Sequence, residues 1–518
     1  MQRPPTPWLR LLPLASLLFL QLTICFWVWL RGPAAISDDD YARVVIAQAW
    51  TQHPRLDPTG TSWLPFPFYV TGAAMFALGT SLDVAREVQV LLALVSSLVI
   101  YLGARRLGHD RWLAAVSAGL AAALPNLARV APATVPEYPT AACLAFGLLC
   151  LVGKKDREER VWSLLGAGAI YLACASRYEA WPIAGVYAGV MACRAWKAKD
   201  SSNRSWLGAA AAVAAAFPCL WLLHGIFVQG DAFFFVTRVT RYKAALGAAS
   251  PDLSAAWLGY PLALVRQELG ATFLLGGAVF LATRSDAGRA ALRALWPLLL
   301  AAVVLLAVLV SGDVRGGAPT HHPERALLSL WLLVPAVSLH LLGSQISSPP
   351  RGLAVSLVLG AALVTALFRV PPGAFADRSE EEHLGRILEK TQGQVVLLTP
   401  DYGHFAVQAA SGHPERFLLL DRHDPRDPRP AASPEELVRA ALSTTKAPWA
   451  VVPLGVTAPG YRIVESGRRL SVLALGQAEV GYAFSVNARS DAQSPHAQRR
   501  KRSSHSSSSL GSPMQRTM

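Results

Sequence analysis

Long apolar blocks alternating with short basic loops constrain this chain more than any other feature. The first block, Trp8 to Leu30, is long enough to cross a bilayer with some tilt. It exceeds the apolar region of a cleaved signal peptide, which predicts a retained helix. A chain inside a bilayer must satisfy its backbone N–H and C=O groups internally, so each block reads as a helix. Four basic loops punctuate the blocks: "ARRLGHDR" (104–111), "KKDREER" (154–160), "RAWKAKDSSNR" (194–204) and "TRSDAGRAALR" (283–293). Short loops rich in Lys and Arg stay cytoplasmic. If all four do so, each interval between them holds an even number of spans.

The blocks then predict an α-helical multi-span membrane protein of about eleven transmembrane helices, ending with one near 352–368. The N-terminus is placed in the cytoplasm and everything after Arg369 outside. The membrane module runs over 1–368, with outer loops at 31–84, 225–268 and 311–325. "FPFYVTGAAMFALG" (66–79) is apolar but short and interrupted by Pro, so it reads as juxtamembrane or partly inserted. Charged residues make up 16% of the chain, against about 25% in soluble domains. The net charge of +14 follows the loops, so it marks membrane orientation and not a nucleic-acid surface. The six cysteines lie in or beside apolar blocks, which argues for small buried hydrophobes and against a disulfide framework.

From about 377 the texture changes. "QVVLLTP", "RFLLLD" and "WAVVPL" alternate with helical patterns, which predicts a small extracytoplasmic α/β domain over 377–485 with a largely parallel sheet. "YRIVESGRRLSVLAL" reads as a closing hairpin. The Ser-rich basic segment 486–518 is too poor in apolar residues to build a core, which predicts a disordered tail. The domain shows no G-x-G-x-x-G, Walker or G-x-S-x-G sequence, so an acceptor-binding or scaffolding role suits it better than nucleotide chemistry.

Straight after the first block comes "ISDDDYARVVIAQAW" (36–50). Ser37 and Asp40 have the spacing of a capping box, and acids in a first turn suit the helix dipole. Three adjacent carboxylates exceed what a cap requires. Clustered negative charge also suits a general base, because it raises the proton affinity of at least one member. Spacing alone leaves both readings open.

The order of features extends the reading. "DDDY" opens the first outer loop; Pro65 and Pro67 follow, then "ALGTS" (77–81), Arg86, and later "HHPERALLSLWLLVPAVS" (321–338). This resembles the polytopic C-superfamily glycosyltransferases, in the branch holding protein O-mannosyltransferases and the lipid A aminoarabinose transferase. The layout extends over roughly 8–342, with Ala326 where that branch usually has Tyr. The resemblance implies a transferase in a bacterial inner membrane that takes a mannose-like or other hexose from a polyprenyl-phosphate carrier. The acceptor is a hydroxyl on a glycan, lipid or protein. The resemblance also implies that the base is Asp38 or Asp39, beside Tyr41.

An inverting displacement needs that base and cations for the departing lipid phosphate. Candidates on the outer face are Arg86, Arg129, Arg177, Arg238, Arg241, Lys243 and Arg325, each of which also reads as an interfacial snorkelling residue. Glu137 begins the fourth helix, as orienting acid or as dipole partner. Arg177 and Glu179 form either a local ion pair or part of the site. His321, His322 and Glu324 lack metal-ligand spacing, so His322 is expected to touch substrate and no metal is assigned. The superfamily leaves a divalent cation near Asp38 and Asp39 open. The competing reading is a transporter or flippase of lipid-linked glycan precursors, which would favour inverted repeats and mid-helix charges.

Overall fold

The computed structural model describes residues 10–31, 35–59, 62–153, 158–245, 253–315, 323–343, 377–400, 402–420 and 433–476. The block at 352–368, the pair His321–His322 and the tail 486–518 lie outside the described residues.

Among the described residues five helices are long and apolar enough to span a bilayer: α1 (Leu12–Arg31), α4 (Leu82–Arg106), α10 with its π-helical extension (Ser201–Gln229), α15 (Trp296–Val314) and most of α16 (Pro323–Gly343). A sixth span results if α12 (Leu253–Arg266) and α13 (Leu269–Thr283) count together across their 83° bend. At that bend the buried Glu268 accepts a hydrogen bond from the Asn126 N–H at 2.8 Å. Shorter helices complete the bundle, notably α7 (Glu137–Val152), α8 (Glu159–Cys174) and α9 (Ala180–Lys197).

Two stretches differ from the sequence reading. The block at 112–130 breaks at Pro125 into α5 (Arg111–Ala122) and α6 (Pro125–Val130), because proline suits a first helical turn but not an interior. Among the described residues, the stretch 225–268 holds α11 (Phe234–Ala245) and α12 beyond the π-helical end of α10. Inside the bundle, Gln21 Oε1 accepts from Ser97 at 2.8 Å and Tyr138 at 3.0 Å, which ties α1, α4 and α7 together. Polar side chains that satisfy one another act as glue between apolar helices.

At one end of the bundle, α2 (Asp38–Gln52) and α3 (Phe66–Leu78) lie beside the start of α4. The C-terminal α/β domain rests on them. Its helices are α17 (Ser379–Glu389), α18 (Gly403–Ser411) and α19 (Pro434–Thr445), and its five strands order as β2-β1-β3-β5-β4. β1 (Val395–Leu397) pairs in parallel with β2 (Phe417–Leu419) and β3 (Trp449–Pro453). The hairpin β4–β5 (Tyr461–Ser466, Leu470–Leu475) adds antiparallel to β3, so the sheet is mixed and its hairpin half is antiparallel.

Small residues let α18 approach α2: Ala406, Ala409 and Ala410 pack with Tyr41, Val44 and Ala47. Gln48 Nε2 donates to the carbonyls of Thr80 and Ala409, both at 2.8 Å. Gly412 ends α18 at φ +73°, a left-handed conformation that glycine adopts without strain, with Thr80 against it.

Candidate active site

Successive helical residues diverge by about 100°, so three adjacent aspartates face three directions. Asp38 turns toward the α/β domain, where Arg378 takes both of its oxygens, at 3.0 and 3.1 Å. Asp40 is buried beneath the helix. Its Oδ2 accepts from the N–H groups of Ile36 and Ser37, and its Oδ1 from that of Thr134 at 3.0 Å. Burial pushes Asp40 up to about 7, against the pull of Arg325 and the Ile36 N–H. Asp39 is left with its side chain half exposed, 3.9 Å from Arg325.

Beside Asp39 lies a buried ionic cluster. Glu137, at the first turn of α7, is 3% exposed and meets Arg177 at 2.5 Å and Arg325 at 3.7 Å. Arg177 also holds Glu179, with its Nη2 2.5 Å from Oε1 and its Nε 3.2 Å from Oε2. Glu137, Arg177, Glu179 and Arg325, separated by up to 188 residues (325 − 137), are thus gathered around one point. Glu137 Oε2 is buried without a hydrogen-bond partner. Arg129, on α6, is half-buried near Arg325, Glu324 and Asp40.

Arg43, one turn beyond Asp39, was not singled out from the sequence. Its guanidinium carbon sits 4.4 Å from the Trp63 ring centroid and 5.7 Å from that of Phe68. Its Nε and Nη1 are buried and make no hydrogen bond. Burial pushes its pKa down, while Glu137 and Asp39 pull it back up. The only sequence signal was its spacing, four residues after Asp39 on one helix face. Arg43 lines an open groove whose walls are mainly apolar: Phe66 and Val70 of α3, Leu92, Val95 and Val99 of α4, Pro139 and Cys143 of α7, and Leu172 of α8.

The other candidates lie elsewhere. Arg86 is bidentate on Glu382 of the α/β domain, at 2.6 and 3.1 Å, and Tyr41 donates to the same carboxylate at 2.6 Å. Both therefore serve the contact between domains and stand apart from the Glu137 cluster. Arg241 is exposed on α11 and Arg238 partly so; the side chain of Lys243 and all of His322 lie outside the described residues. Neighbouring Tyr242 meets Tyr402 of the α/β domain at 2.9 Å between hydroxyls.

Among the described residues no group of three His, Cys, Asp or Glu side chains converges as a metal site. Asp38 and Asp39 do not fit a divalent cation in this arrangement: Arg378 occupies both oxygens of one, and Arg325 stands beside the other.

Residues 53–224 match the family model described as dolichyl-phosphate-mannose-protein mannosyltransferase. No curated protein matches the chain in sequence. Among solved structures, ArnT from Cupriavidus metallidurans bound to undecaprenyl phosphate superposes with a TM-score of 0.54 at 13% identity, over 93% of this chain and 100% of that one. The apo form of the same protein gives 0.55 at 13% identity, over 89% and 98%. The archaeal oligosaccharyltransferase AglB from Archaeoglobus fulgidus is a looser likeness, with a TM-score of 0.44 at 14% identity over 85% and 69%. Along most of its length the chain thus has the fold of the ArnT structures, and over residues 53–224 it matches the mannosyltransferase family model.

Proposed function

We propose that this protein moves a hexose from a polyprenyl-phosphate carrier to an acceptor hydroxyl at the extracytoplasmic face, with Asp39 as general base. One observation carries the reading: the half-exposed Asp39 carboxylate stands one helical turn from Arg43, which lines an apolar groove and has two buried N–H groups without hydrogen-bond partners. An isoprenoid tail suits such a groove, and a phosphate suits Arg43. The acceptor oxygen attacks the anomeric carbon, the bond from that carbon to the phosphate oxygen breaks, and polyprenyl phosphate departs. The acceptor proton passes to Asp39. Arg43 and Arg325 stabilise the departing charge, a task for pre-oriented donors in a water-poor site. Arg241 and Lys243 serve as a second contact to the phosphate from α11.

Glu137 is held by Arg177 and Arg325 and orients the sugar or the acceptor. The mannosyltransferase family match supports a mannose-like sugar. The proposed setting is a bacterial inner membrane with eleven spans, the N-terminus inside and the α/β domain outside. A flippase is not favoured, because the buried charges around Glu137 and Arg325 sit at helix ends, as Arg106 does at the far end of α4.

The test is to incubate the purified protein with radiolabelled polyprenyl-phosphate hexoses and membrane acceptors. Release of polyprenyl phosphate with label in the acceptor fraction is expected. Intact donor throughout, with donor carried across vesicle bilayers instead, would replace this reading with the flippase.

A further inference from the structure

We propose that Arg378 of the α/β domain is a positioning residue of the transfer site, which sets the first turn of α2 and hence the direction of Asp39. This rests on the transferase reading and adds a part to it. Arg378 lies 340 residues from Asp38 in sequence, yet its Nε and Nη2 grip that carboxylate as a fork. Planar two-point contact of this kind fixes orientation as well as distance. The grip is itself braced. Arg378 is 4% exposed, its Nη1 donates to Glu381 at 2.9 Å, and Glu381 is fully buried and receives Arg469 at 2.8 Å.

The rest of α2 is tied down independently, by Asp40 on Thr134 and by Gln48 on Thr80 and Ala409. Losing Arg378 therefore frees the turn that carries Asp38 and Asp39, while Glu381 keeps Arg469. Arg43 stays on its aromatic pair. It also leaves Asp38 uncompensated beside Asp39. A contact that served adhesion alone would not have to end on the residue next to the base. The same two parts are joined by an ordinary surface pair as well, Arg386 with Asp83 at 2.8 Å, both about half exposed.

The experiment compares Arg378→Met, Arg378→Lys, Asp38→Asn, the Asp38→Asn/Arg378→Met double variant and Arg386→Met. Initial rates are read as release of polyprenyl phosphate from the donor that the wild type consumes. Arg378→Met is expected to lower kcat about 10- to 100-fold, the usual cost of a misplaced reacting group. Donor KM should stay within about threefold, since the lost contact is not with the donor. Lysine keeps the charge without the fork, so Arg378→Lys should fall between. The double variant should be no slower than the slower single, and Arg386→Met should match wild type. Wild-type kcat in Arg378→Met, a change confined to KM, or multiplying losses in the double variant overturns the proposal. If Arg378→Met is not recovered folded, wild-type kcat in both Arg378→Lys and Asp38→Asn overturns it. A wild type inactive on every donor removes the transferase reading and this proposal with it; an active wild type with an unimpaired Arg378→Met removes this proposal alone.

Discussion

Asp39 and Glu137 share one guanidinium: Arg325 Nη1 lies 3.9 Å from the first and 3.7 Å from the second. The two acids are nonetheless unlike. Glu137 is enclosed and paired to Arg177, whereas Asp39 has half its side chain open. Asp39→Asn is therefore expected to cut transfer about 10²- to 10⁴-fold, the usual loss for a general base, with normal membrane expression. Single-turnover rates on labelled donor check this. Near-normal transfer by Asp39→Asn would remove the base assignment.

Arg43 makes an unusual stability prediction. Its Nε and Nη1 are buried and unpartnered, so the folded protein bears their desolvation without a compensating hydrogen bond. Arg43→Met should leave the melting temperature in detergent unchanged or raise it, while donor KM rises about tenfold or more through loss of a charged contact. Arg43→Lys should recover part of the affinity. A lower melting temperature with unchanged KM would mean that the guanidinium serves the fold and not the lipid phosphate.

The fold was legible where periodicity and charge carried it. The apolar blocks and the strands "VVL" and "WAVVP" are local signals, and those among the described residues reappear as helices and sheet. The site was legible only in part. Asp38, Asp39, Glu137, Arg177 and Arg325 stood out as charges beside apolar runs, but their partners did not. The pairing of Asp38 with Arg378, or of Arg86 with Glu382, depends on how the α/β domain seats on α2 and α4, which no local pattern encodes. Arg43 looked like one more helix-surface cation until Trp63 and Phe68 folded over it.

Asp40 should make stability pH-dependent. Burial holds its folded value near 7, above the ordinary 3.8, with Arg325, Glu137 and Arg129 facing it. The folded state thus keeps a proton that the unfolded chain releases between about pH 4 and 7. That contribution is fully present below about pH 4 and is lost as pH rises to about 7. The capping-box spacing alone predicts a mild effect of Asp40→Asn, since Asn also caps. The structure changes that expectation, because both carboxylate oxygens accept backbone N–H groups and Asn offers a single oxygen. Asp40→Asn should cost about 1–3 kcal/mol and flatten the pH slope of the melting temperature. An unchanged slope would mean that another group carries it.

Sidedness is open to a direct test. A periplasm-dependent reporter fused after Gly476 should be active, because the positive-inside rule puts the four basic loops in the cytoplasm and the segment after Arg369 on the other side. Cytoplasmic reporter activity would invert the topology and take the extracytoplasmic reaction with it.

Glu137 and Arg177 supply the last prediction, which separates burial from chemistry. Their contact is 2.5 Å, with Glu137 3% exposed. Removing one member of a buried pair leaves an uncompensated charge and typically costs about 3–5 kcal/mol. Removing both takes away that pair, with Glu179 and Arg325 left beside the gap. Arg177→Met should therefore lower the melting temperature sharply, with Glu179 also losing its partner. Glu137→Gln with Arg177→Met should recover much of that loss while transfer stays low, since the sugar or acceptor loses the acid that orients it. Arg325 and Arg43 also lie near Glu137 and keep its charge partly screened in the Arg177→Met protein, so its loss should fall toward the lower end of the range. If the double variant regains transfer together with stability, Glu137 is structural, and orientation of the sugar must be sought on α11.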